Sequence, residues 1–349
     1  MLHFESDYME GCCPEILRRL ETINFEKLTG YGEDGICAAA KEKIRAACGG
    51  IPGDVRFLVG GTQTNAVVID ALLRPWEGVI AADTGHIAQH EAGAIEHGGH
   101  KVLTLPGRDG KLDASVLRRY MEGFLADGSR EHLVQPGMVY ISHPTEFGTL
   151  YSFSELCALR AACDDYGLKL YLDGARLGYG LAAQGAELTL PDIARLTDVF
   201  YIGGTKVGAL FGEAVVAQSA ETLGNFFPLM KQHGAVMAKG WLLGVQFDEL
   251  FTDGLYLHCA KRADDTAALL RRGLLERGVT LYVDSPTNQL FPVFSSEVLA
   301  ELGKRVGYTL WEKPDAQHSV IRLATSWATG EGEIRQLLNA VDAALACSA

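Results

Sequence analysis

Two apolar segments, Tyr171-Leu-Asp-Gly-Ala-Arg176 and Tyr201-Ile-Gly-Gly-Thr-Lys206, each run into small residues and then a charged side chain. The apolar part of each segment is typical of a strand that is covered on both faces, as strands of parallel sheets are. In such sheets, ligands bind just beyond the carboxyl ends of the strands. The two segments therefore predict that Asp173 and Lys206 lie at one edge of a buried sheet.

The first 250 residues alternate short apolar runs with stretches of helical periodicity. Strands are predicted at residues 55–59, 79–82, 101–105, 139–142, 168–172, 199–202 and 214–217. Helices are predicted at residues 62–73 and 87–97, and a further helix is capped by Ser154 and ended by Gly167. This alternation predicts an α/β fold whose large, mostly parallel sheet has helices on both faces.

The pattern changes after about residue 250. A long helix at residues 255–277 precedes shorter elements. These are predicted strands at 279–283, 289–294 and 319–324 and helices at 295–305 and 331–346. We therefore predict a large domain over residues 1–250, which includes the N-terminal arm, and a small α+β domain over residues 251–349. The polar residues 123–136 predict a surface loop.

Composition and charge argue against several classes of protein. Of the 349 residues, 48% are hydrophobic and 21% are charged, which is ordinary for a globular protein. The formal net charge of -13 argues against a nucleic-acid or anionic-membrane partner. No stretch approaches the roughly 20 apolar residues of a membrane span, and the N-terminus lacks a signal-peptide pattern. None of the eight cysteines has zinc-ligand spacing, so we expect free thiols, no metal site and a cytoplasmic location.

Lys206 and Asp173 suit the chemistry of pyridoxal 5'-phosphate (PLP). A lysine in a buried site has a lowered pKa and can hold the aldehyde of the cofactor as a Schiff base. A carboxylate beside the pyridine nitrogen can keep that nitrogen protonated, so that the ring withdraws electrons from the substrate. Each residue also has a simpler interpretation, in which Lys206 is a solvated loop lysine and Asp173 is a helix N-cap.

Other residues indicate how an anion and a flat ring could bind. The segment Gly60-Gly61-Thr62 opens a helix directly after a strand, where free N–H groups and the helix dipole attract anions, although ordinary turns look similar. His86 could stack on a cofactor, but a single histidine is more often structural. Arg176 could pair with Asp173 or lie near the ring or the substrate carboxylate. Arg322 interrupts an apolar strand, so it needs either a substrate carboxylate or a buried ion pair.

Together these residues resemble the PLP-dependent threonine aldolase and β-eliminating lyase family of fold type I. The motifs that carry the resemblance are Phe4-Glu-Ser-Asp7, Tyr31-Gly-Glu-Asp34, Gly61-Thr62, His86 with Glu91-Ala-Gly-Ala94, Asp173-Gly-Ala-Arg176, Lys206 and Arg322-Leu-Ala-Thr-Ser326. The resemblance extends over most of the chain. It implies a large PLP-binding domain, a smaller C-terminal domain and an α-amino acid as the substrate.

The resemblance also implies roles for individual residues. Lys206 binds PLP, His86 stacks on its ring and Asp173 pairs with the pyridine nitrogen. The other implied cofactor contacts are Gly61, Thr62, Arg176, Thr205 and Lys239. The implied substrate contacts are Ser6, Tyr31, Arg176 and Arg322. Because Tyr31 and Lys239 reach the site of a neighbouring subunit in this family, we expect a homodimer or a homotetramer with active sites at the dimer interface.

The chain departs from the commonest threonine aldolase pattern in the segment Ser142-His-Pro-Thr-Glu-Phe-Gly148. By register, Thr145 stands where the common pattern has a histidine that is placed to contact the substrate hydroxyl. His143 lies two residues too early for that role. The segment resembles a phenylserine-aldolase-like branch of the family. In the phosphate loop, Gly60 stands where a serine is usual.

The resemblance implies an aldolase that cleaves a β-hydroxy-α-amino acid, of the threonine, allo-threonine or phenylserine type, to glycine and an aldehyde. The base for the β-hydroxyl proton is open among His86, Glu91 and a phosphate-bound water. A β-eliminating lyase or an amino-acid racemase would use the same residues, and a non-catalytic PLP-fold binding protein is a further alternative. A Rossmann dinucleotide enzyme is disfavoured because no G-x-G-x-x-G follows the first strand.

Overall fold

Strands and helices alternate over residues 1–348, the part of the chain that the computed structural model describes. The strands are β1 (Leu2–His3), β2 (Val55–Leu58), β3 (Glu77–Ala82), β4 (Val102–Leu105), β5 (Gln135–Ser142), β6 (Lys169–Asp173), β7 (Val199–Gly203), β8 (Glu213–Ala217), β9 (Gln289–Leu290), β10 (Val293–Ser295), β11 (Val306–Gly307), β12 (Thr309–Glu312) and β13 (His318–Ala324). The helices are α1 (Pro14–Ile23), α2 (Gly35–Ala47), α3 (Gly61–Leu72), α4 (His86–Gln89), α5 (Ala94–His97), α6 (Ala114–Ala126), α7 (Phe153–Tyr166), α8 (Leu177–Ala182), α9 (Leu190–Leu196), α10 (Phe226–Gln232), α11 (Trp241–Leu250), α12 (Leu255–Glu276), α13 (Ser296–Leu302) and α14 (Glu331–Ser348).

A seven-stranded sheet forms the centre of the molecule, in the order β2-β8-β7-β6-β5-β3-β4. Strand β8 is antiparallel to both of its neighbours, and the other adjacent strands are parallel. The predicted α/β fold with a mostly parallel sheet is therefore confirmed. Because β5, β6 and β7 are adjacent and parallel, their carboxyl ends meet at one edge of the sheet.

The continuous apolar runs of β6 and β7 are buried on both faces of this sheet. Leu170, Leu172 and Phe200 belong to one hydrophobic cluster, whereas Tyr171 and Val199 belong to a second cluster. Neighbouring side chains of a strand point to opposite faces, so each strand contributes to both clusters. Burying a large apolar side chain contributes about 1.5–3 kcal/mol, which is why these runs lie in the middle of the sheet.

The C-terminal part of the chain has its own small sheet, in which β13 pairs with β9, β10 and β12. Strand β1 pairs with β11, and Phe4 packs with Leu270 and Leu323 in a separate hydrophobic cluster. The first residues of the N-terminal arm thus pair with the C-terminal part of the chain and not with the large sheet. The domain division at residue 250 stays a prediction.

Two predicted helices differ from the structure for local reasons. The helix predicted at residues 87–97 is divided into α4 and α5, because Ala92 and Gly93 have positive φ angles of 52° and 73°. The cap of α7 is Ser152 and not Ser154. Ser152 accepts a hydrogen bond from the backbone N–H of Glu155 and forms a capping box with it.

Three other segments also differ from their predictions. The predicted loop at 123–136 contains the end of α6, a short 3-10 turn at Arg130–His132 and the start of β5. The predicted strand at 279–283 is reduced to an isolated bridge between Leu281 and Pro292. Because Pro292 has no N–H to donate, the strand predicted at 289–294 is divided into β9 and β10. Within residues 1–348, no helix combines the length and the apolar character that crossing a membrane requires.

Candidate active site

Asp173, the last residue of β6, is held at the carboxyl edge of the sheet by hydrogen bonds to both carboxylate oxygens. Its Oδ2 accepts from Tyr140 Oη at 2.6 Å and from Asn65 Nδ2 at 3.0 Å. Its Oδ1 accepts from Tyr201 Oη at 2.6 Å and from the backbone N–H of Ala175 at 2.9 Å. The side chain is buried. The carboxylate is therefore fixed in direction before any ligand binds.

His86 is tied to Asp173 through a second buried carboxylate. His86 Nδ1 lies 2.7 Å from Glu91 Oε1, and Asn65 Nδ2 donates to the same oxygen at 2.7 Å. Burial raises the pKa of Asp173, but the charge of His86 and the hydrogen bonds from the two tyrosines lower it below its ordinary value. The site therefore keeps Asp173 ionised, as a partner for a protonated nitrogen must be.

Lys206 lies just beyond the carboxyl end of β7, which is the strand next to β6. Burial, followed by repulsion from Arg176, lowers the pKa of Lys206 to about 8. The preceding Thr205 donates its hydroxyl to Glu213 Oε1 at 2.8 Å, and burial raises the pKa of Glu213 to about 8. A lysine with a pKa near 8 has an appreciable neutral fraction at physiological pH, and the neutral amine is the nucleophile.

The glycines in both segments allow their backbones to touch. An ideal Cβ on Gly174 would lie 1.9 Å from the carbonyl oxygen of Tyr201, and one on Gly203 would lie 2.2 Å from that of Ala175. No other residue fits at such a contact, because real Cβ atoms do not approach backbone atoms so closely. These two close approaches bring the segments that carry Asp173 and Lys206 together.

The N-terminal arm crosses the site and contacts its arginines. Arg176 forms a bidentate ion pair with the buried Asp7, with Nε–Oδ2 at 2.7 Å and Nη2–Oδ1 at 2.9 Å. Burial raises the pKa of Asp7, but the charges of Arg176 and Lys206 prevail and lower it to about 2. The possible pairing of Arg176 with Asp173 is therefore wrong, and Nη1 is the nitrogen that the Asp7 pair leaves unused.

Arg322, on β13, lies beside this arm with part of its guanidinium unsatisfied. Its Nη2 donates to the backbone oxygen of Glu5 at 3.0 Å, and its Cζ lies 5.3 Å from the ring centroid of Trp311. Its Nε is buried and has no hydrogen-bond partner within residues 1–348. Burial and repulsion from Arg176 lower its pKa to about 10. Ser6 is half-buried between Glu5 and Asp7. An unsatisfied buried guanidinium favours an anionic ligand.

Helix α3 presents an uncapped N-terminus at the same edge. Its N-cap is Gly60, and no side chain of the described residues caps the first turn. Gly61 lines the cavity that Lys206 and Asp173 also line. An ideal Cβ on Gly60 would meet nothing within 4 Å, so there is open space beside it. The first N–H groups of a helix that has no cap are available to a phosphate.

Five of the eleven site residues that the sequence predicted line one cavity of the structure. One cavity, here called the active-site cavity, is lined by Gly61, His86, Asp173, Arg176 and Lys206. Thr62 is exposed in the first turn of α3.

Tyr31 and Lys239 lie apart from the active-site cavity. Tyr31 lines a different cavity, and its N–H donates to the carbonyl oxygen of Ala238 at 3.1 Å, so Lys239 is its neighbour. Lys239 is exposed. Within one chain, neither residue reaches the site.

Sequence reasoning missed several residues that form the site. Asn65, Tyr140, Tyr201 and Asp7 hold charged groups through hydrogen bonds, and Glu146 lines the active-site cavity. The sequence pointed to these residues only indirectly. Asn65, Tyr140 and Tyr201 lie on a helix and strands that were already predicted to end or begin at the edge of the sheet that carries the site. Their partners are distant in sequence, and periodicity carries no information about such pairings.

A lysine and an aspartate at the carboxyl ends of neighbouring strands, in a doubly covered sheet, define the fold type I class of PLP-dependent enzymes. Aspartate aminotransferase from Thermus thermophilus shares the fold, with a TM-score of 0.72, 16% identity and coverage of 99% of this chain and 91% of that chain. The chain belongs to the β-eliminating lyase family, whose model matches residues 3–295. The predicted fold class and family are thus confirmed.

Two similar proteins cover nearly the whole chain. One is a low specificity L-threonine aldolase from Pseudomonas sp. (strain NCIMB 10558), which is 31% identical over 96% of this chain and 95% of its own length. The other is the solved structure of a threonine aldolase from Leishmania major. It has a TM-score of 0.94 and 43% identity, and the match covers 98% of this chain and 99% of that one.

Proposed function

We propose that this protein is a PLP-dependent aldolase that cleaves a β-hydroxy-α-amino acid of the threonine, allo-threonine or phenylserine type to glycine and an aldehyde. The observation that carries the proposal is the single cavity that joins Lys206, Asp173, His86 and Arg176. The names of the two relatives that match over nearly the whole chain support the choice of reaction.

The chemistry of the donor set fits PLP. Lys206 offers an amine with a lowered pKa for the aldehyde, and Asp173 offers a fixed carboxylate for the pyridine nitrogen. The uncapped first turn of α3 offers N–H groups for the phosphate. The imidazole of His86, oriented by Glu91, would lie against the ring. When bound, PLP withdraws the electron pair that is left on the substrate Cα.

The chain itself binds and orients the substrate. We assign the substrate carboxylate to Arg322, to Ser6 and to the unused edge of Arg176. The buried Nε of Arg322 has no hydrogen-bond partner in the described part of the chain. The Asp7 pair holds Arg176 in one orientation, so the carboxylate would be bound in one direction. Fixing the carboxylate fixes which bond at Cα stands perpendicular to the ring, and the aldolase reaction requires that this bond is Cα–Cβ.

We also propose that the active sites lie at the interface of a homodimer or of a homotetramer. Tyr31 and Phe227 line a second cavity with side chains that are 52% and 41% exposed, and Lys239 lies beside Tyr31. Exposed aromatic groups around a cavity are typical of interfaces. In such an assembly, Tyr31 and Lys239 would contribute to the site of the neighbouring subunit. The eight free cysteines support a cytoplasmic location.

The test is aldehyde release by the PLP-loaded enzyme from L- and D-threonine, the two allo-threonines and phenylserine. We expect equal amounts of aldehyde and glycine from at least one of these substrates. The Lys206→Ala variant should lose both the reaction and the visible absorbance of bound PLP. A 2-oxo acid and ammonia instead of glycine, with 2-oxobutyrate from threonine or phenylpyruvate from phenylserine, would establish a β-eliminating lyase. Inversion of the amino acid alone would establish a racemase. PLP binding without any turnover would leave a non-catalytic binding protein.

A further inference from the structure

The turn after β5 places an acidic residue in the active-site cavity. Glu146 lines this cavity together with Lys206, His86 and Asp173. Its Oε1 accepts a hydrogen bond from the backbone N–H of His86 at 2.9 Å and another from Ser142 Oγ at 2.6 Å. Among the described residues, no other side chain donates a hydrogen bond to Oε2. Glu146 is therefore anchored through one oxygen while the other is available.

Backbone and hydroxyl hydrogen bonds hold the turn that carries Glu146. Thr145 N donates to Thr149 O at 3.0 Å, and Gly148 N donates to Thr145 O at 2.8 Å. The Thr287 hydroxyl donates to the Gly148 carbonyl oxygen at 3.2 Å. These bonds are made by the backbone and by neighbouring hydroxyls, so the position of Glu146 depends little on its own side chain.

Thr145 and His143, the residues at and near the register position of the family's histidine, have other hydrogen-bond partners. The Thr145 hydroxyl lies 2.7 Å from the Thr149 hydroxyl and also donates to Asp109 O at 3.4 Å. His143 is buried, its Nδ1 accepts from the backbone N–H of Tyr151 at 3.3 Å, and burial lowers its pKa to about 4. The Thr145 hydroxyl is thus hydrogen-bonded to its own turn, and the buried His143 is not among the residues that line the active-site cavity.

We propose that Glu146 is the catalytic residue that takes the β-hydroxyl proton of the substrate, a role that no histidine fills in this segment of the chain. The inference rests on the proposed aldolase function and deepens it. Burial raises the pKa of Glu146 above its ordinary value, while the hydrogen bond from Ser142 opposes that rise. A carboxylate with a raised pKa is a stronger base for the hydroxyl proton.

The step conserves atoms and electrons. The Glu146 carboxylate takes the hydroxyl proton, and the O–H electron pair forms the carbonyl bond of the aldehyde as the Cα–Cβ bond breaks. The electron pair of the broken bond stays at Cα, where a proton completes glycine. Glu146 then returns its proton to solvent, so no oxidant or reductant takes part.

The experiment separates this proton transfer from the rest of the chemistry in the PLP-loaded Glu146→Gln variant. Glutamine keeps the side-chain length and an oxygen that accepts from His86 N–H and Ser142. We expect aldehyde release to fall by about 10²–10⁴-fold, because that is the usual contribution of a general base. Exchange of the glycine α-proton with deuterated solvent involves no β-hydroxyl. Its rate, and the glycine dissociation constant measured by absorbance titration, should stay within about threefold of the wild type.

Two further variants complete the design. Glu146→Asp keeps a carboxylate that is shorter by one methylene, and it should recover part of the aldehyde release that glutamine loses. The matched control is Glu122→Gln, the same change at an exposed position of α6, which should leave every readout unchanged.

The outcomes distinguish the inference from the function on which it rests. Aldehyde release that survives in Glu146→Gln overturns the role of Glu146 while the aldolase function stands. Loss of aldehyde release, α-proton exchange and glycine affinity together, in both Glu146 variants, shows a structural role and also overturns it. If the wild type releases no aldehyde from any substrate, the proposed function fails first and the inference falls with it.

Discussion

The Asp7→Asn variant tests whether the N-terminal arm is held to the active site by charge. Asp7 is 1% exposed and forms a bidentate pair with Arg176, which is itself largely buried. Asparagine has nearly the same shape but carries no charge. The variant therefore removes the ion pair without creating a cavity.

The structure gives two values for the loss of folding stability in this variant. The pKa of Asp7 falls from the ordinary 3.8 to about 2, and at 1.36 kcal/mol per pH unit this corresponds to roughly 2.4 kcal/mol of stability. Removing the carboxylate also leaves the buried Arg176 charge unpaired, and breaking a buried pair in this way costs about 3–5 kcal/mol. We expect the free energy of unfolding at pH 7 to fall by about 3–5 kcal/mol.

The pKa of Asp7 also determines how its contribution to folding stability changes with pH. Because the pKa of Asp7 is lower in the folded state than in the unfolded state, its contribution is complete above pH 3.8 and is lost as the pH falls towards 2. The stability difference between wild type and variant should therefore be constant near neutral pH and should narrow only in strong acid.

The assay is urea-induced unfolding at equal protomer concentration, with Asp342→Asn as the matched control. Asp342 forms a bidentate pair with Arg277 at 2.7 Å for both bonds, but its side chain is 50% exposed. Exposed pairs contribute less than about 1 kcal/mol, so this variant should change little. If the two aspartate variants lose similar amounts of stability, the argument from burial is refuted.

Two other predictions concern the strand ends. In the protein freed of PLP, the rate at which Lys206 forms a Schiff base with added PLP should rise through pH 8 and level off above it. The reason is that burial and Arg176 lower its pKa to about 8, and a rate that still climbs at pH 10 would contradict this. The Gly203→Ala variant should lose more than about 2 kcal/mol in thermal unfolding, because its Cβ would lie 2.2 Å from the carbonyl oxygen of Ala175. Gly35→Ala, whose Cβ meets nothing within 4 Å, should lose little, and equal losses would show that the contact relaxes freely.

The sequence predicted the sheet well because its signals are local. The buried strands β6 and β7 are continuous apolar runs, and their ends are marked by glycines and charges. Prediction failed where a local signal was ambiguous. Both Ser152 and Ser154 can cap a helix, and only the Glu155 hydrogen bond selects Ser152. The apolar run at 279–283 forms only an isolated bridge at Leu281. A strand needs a neighbouring strand to pair with, and an apolar pattern alone does not supply one.

The sequence by itself determined the fold class, the lysine and aspartate at the strand ends, and the family to which the chain belongs. Tertiary structure alone decided that Arg176 pairs with Asp7, 169 residues away, and that Glu146 lies against the backbone of His86. Strand periodicity and motif spacing are properties of neighbouring residues, so they can be read along the chain. The partner of a buried charge is selected by packing between distant segments, because the desolvation of that charge is offset only by the groups that the fold brings to it.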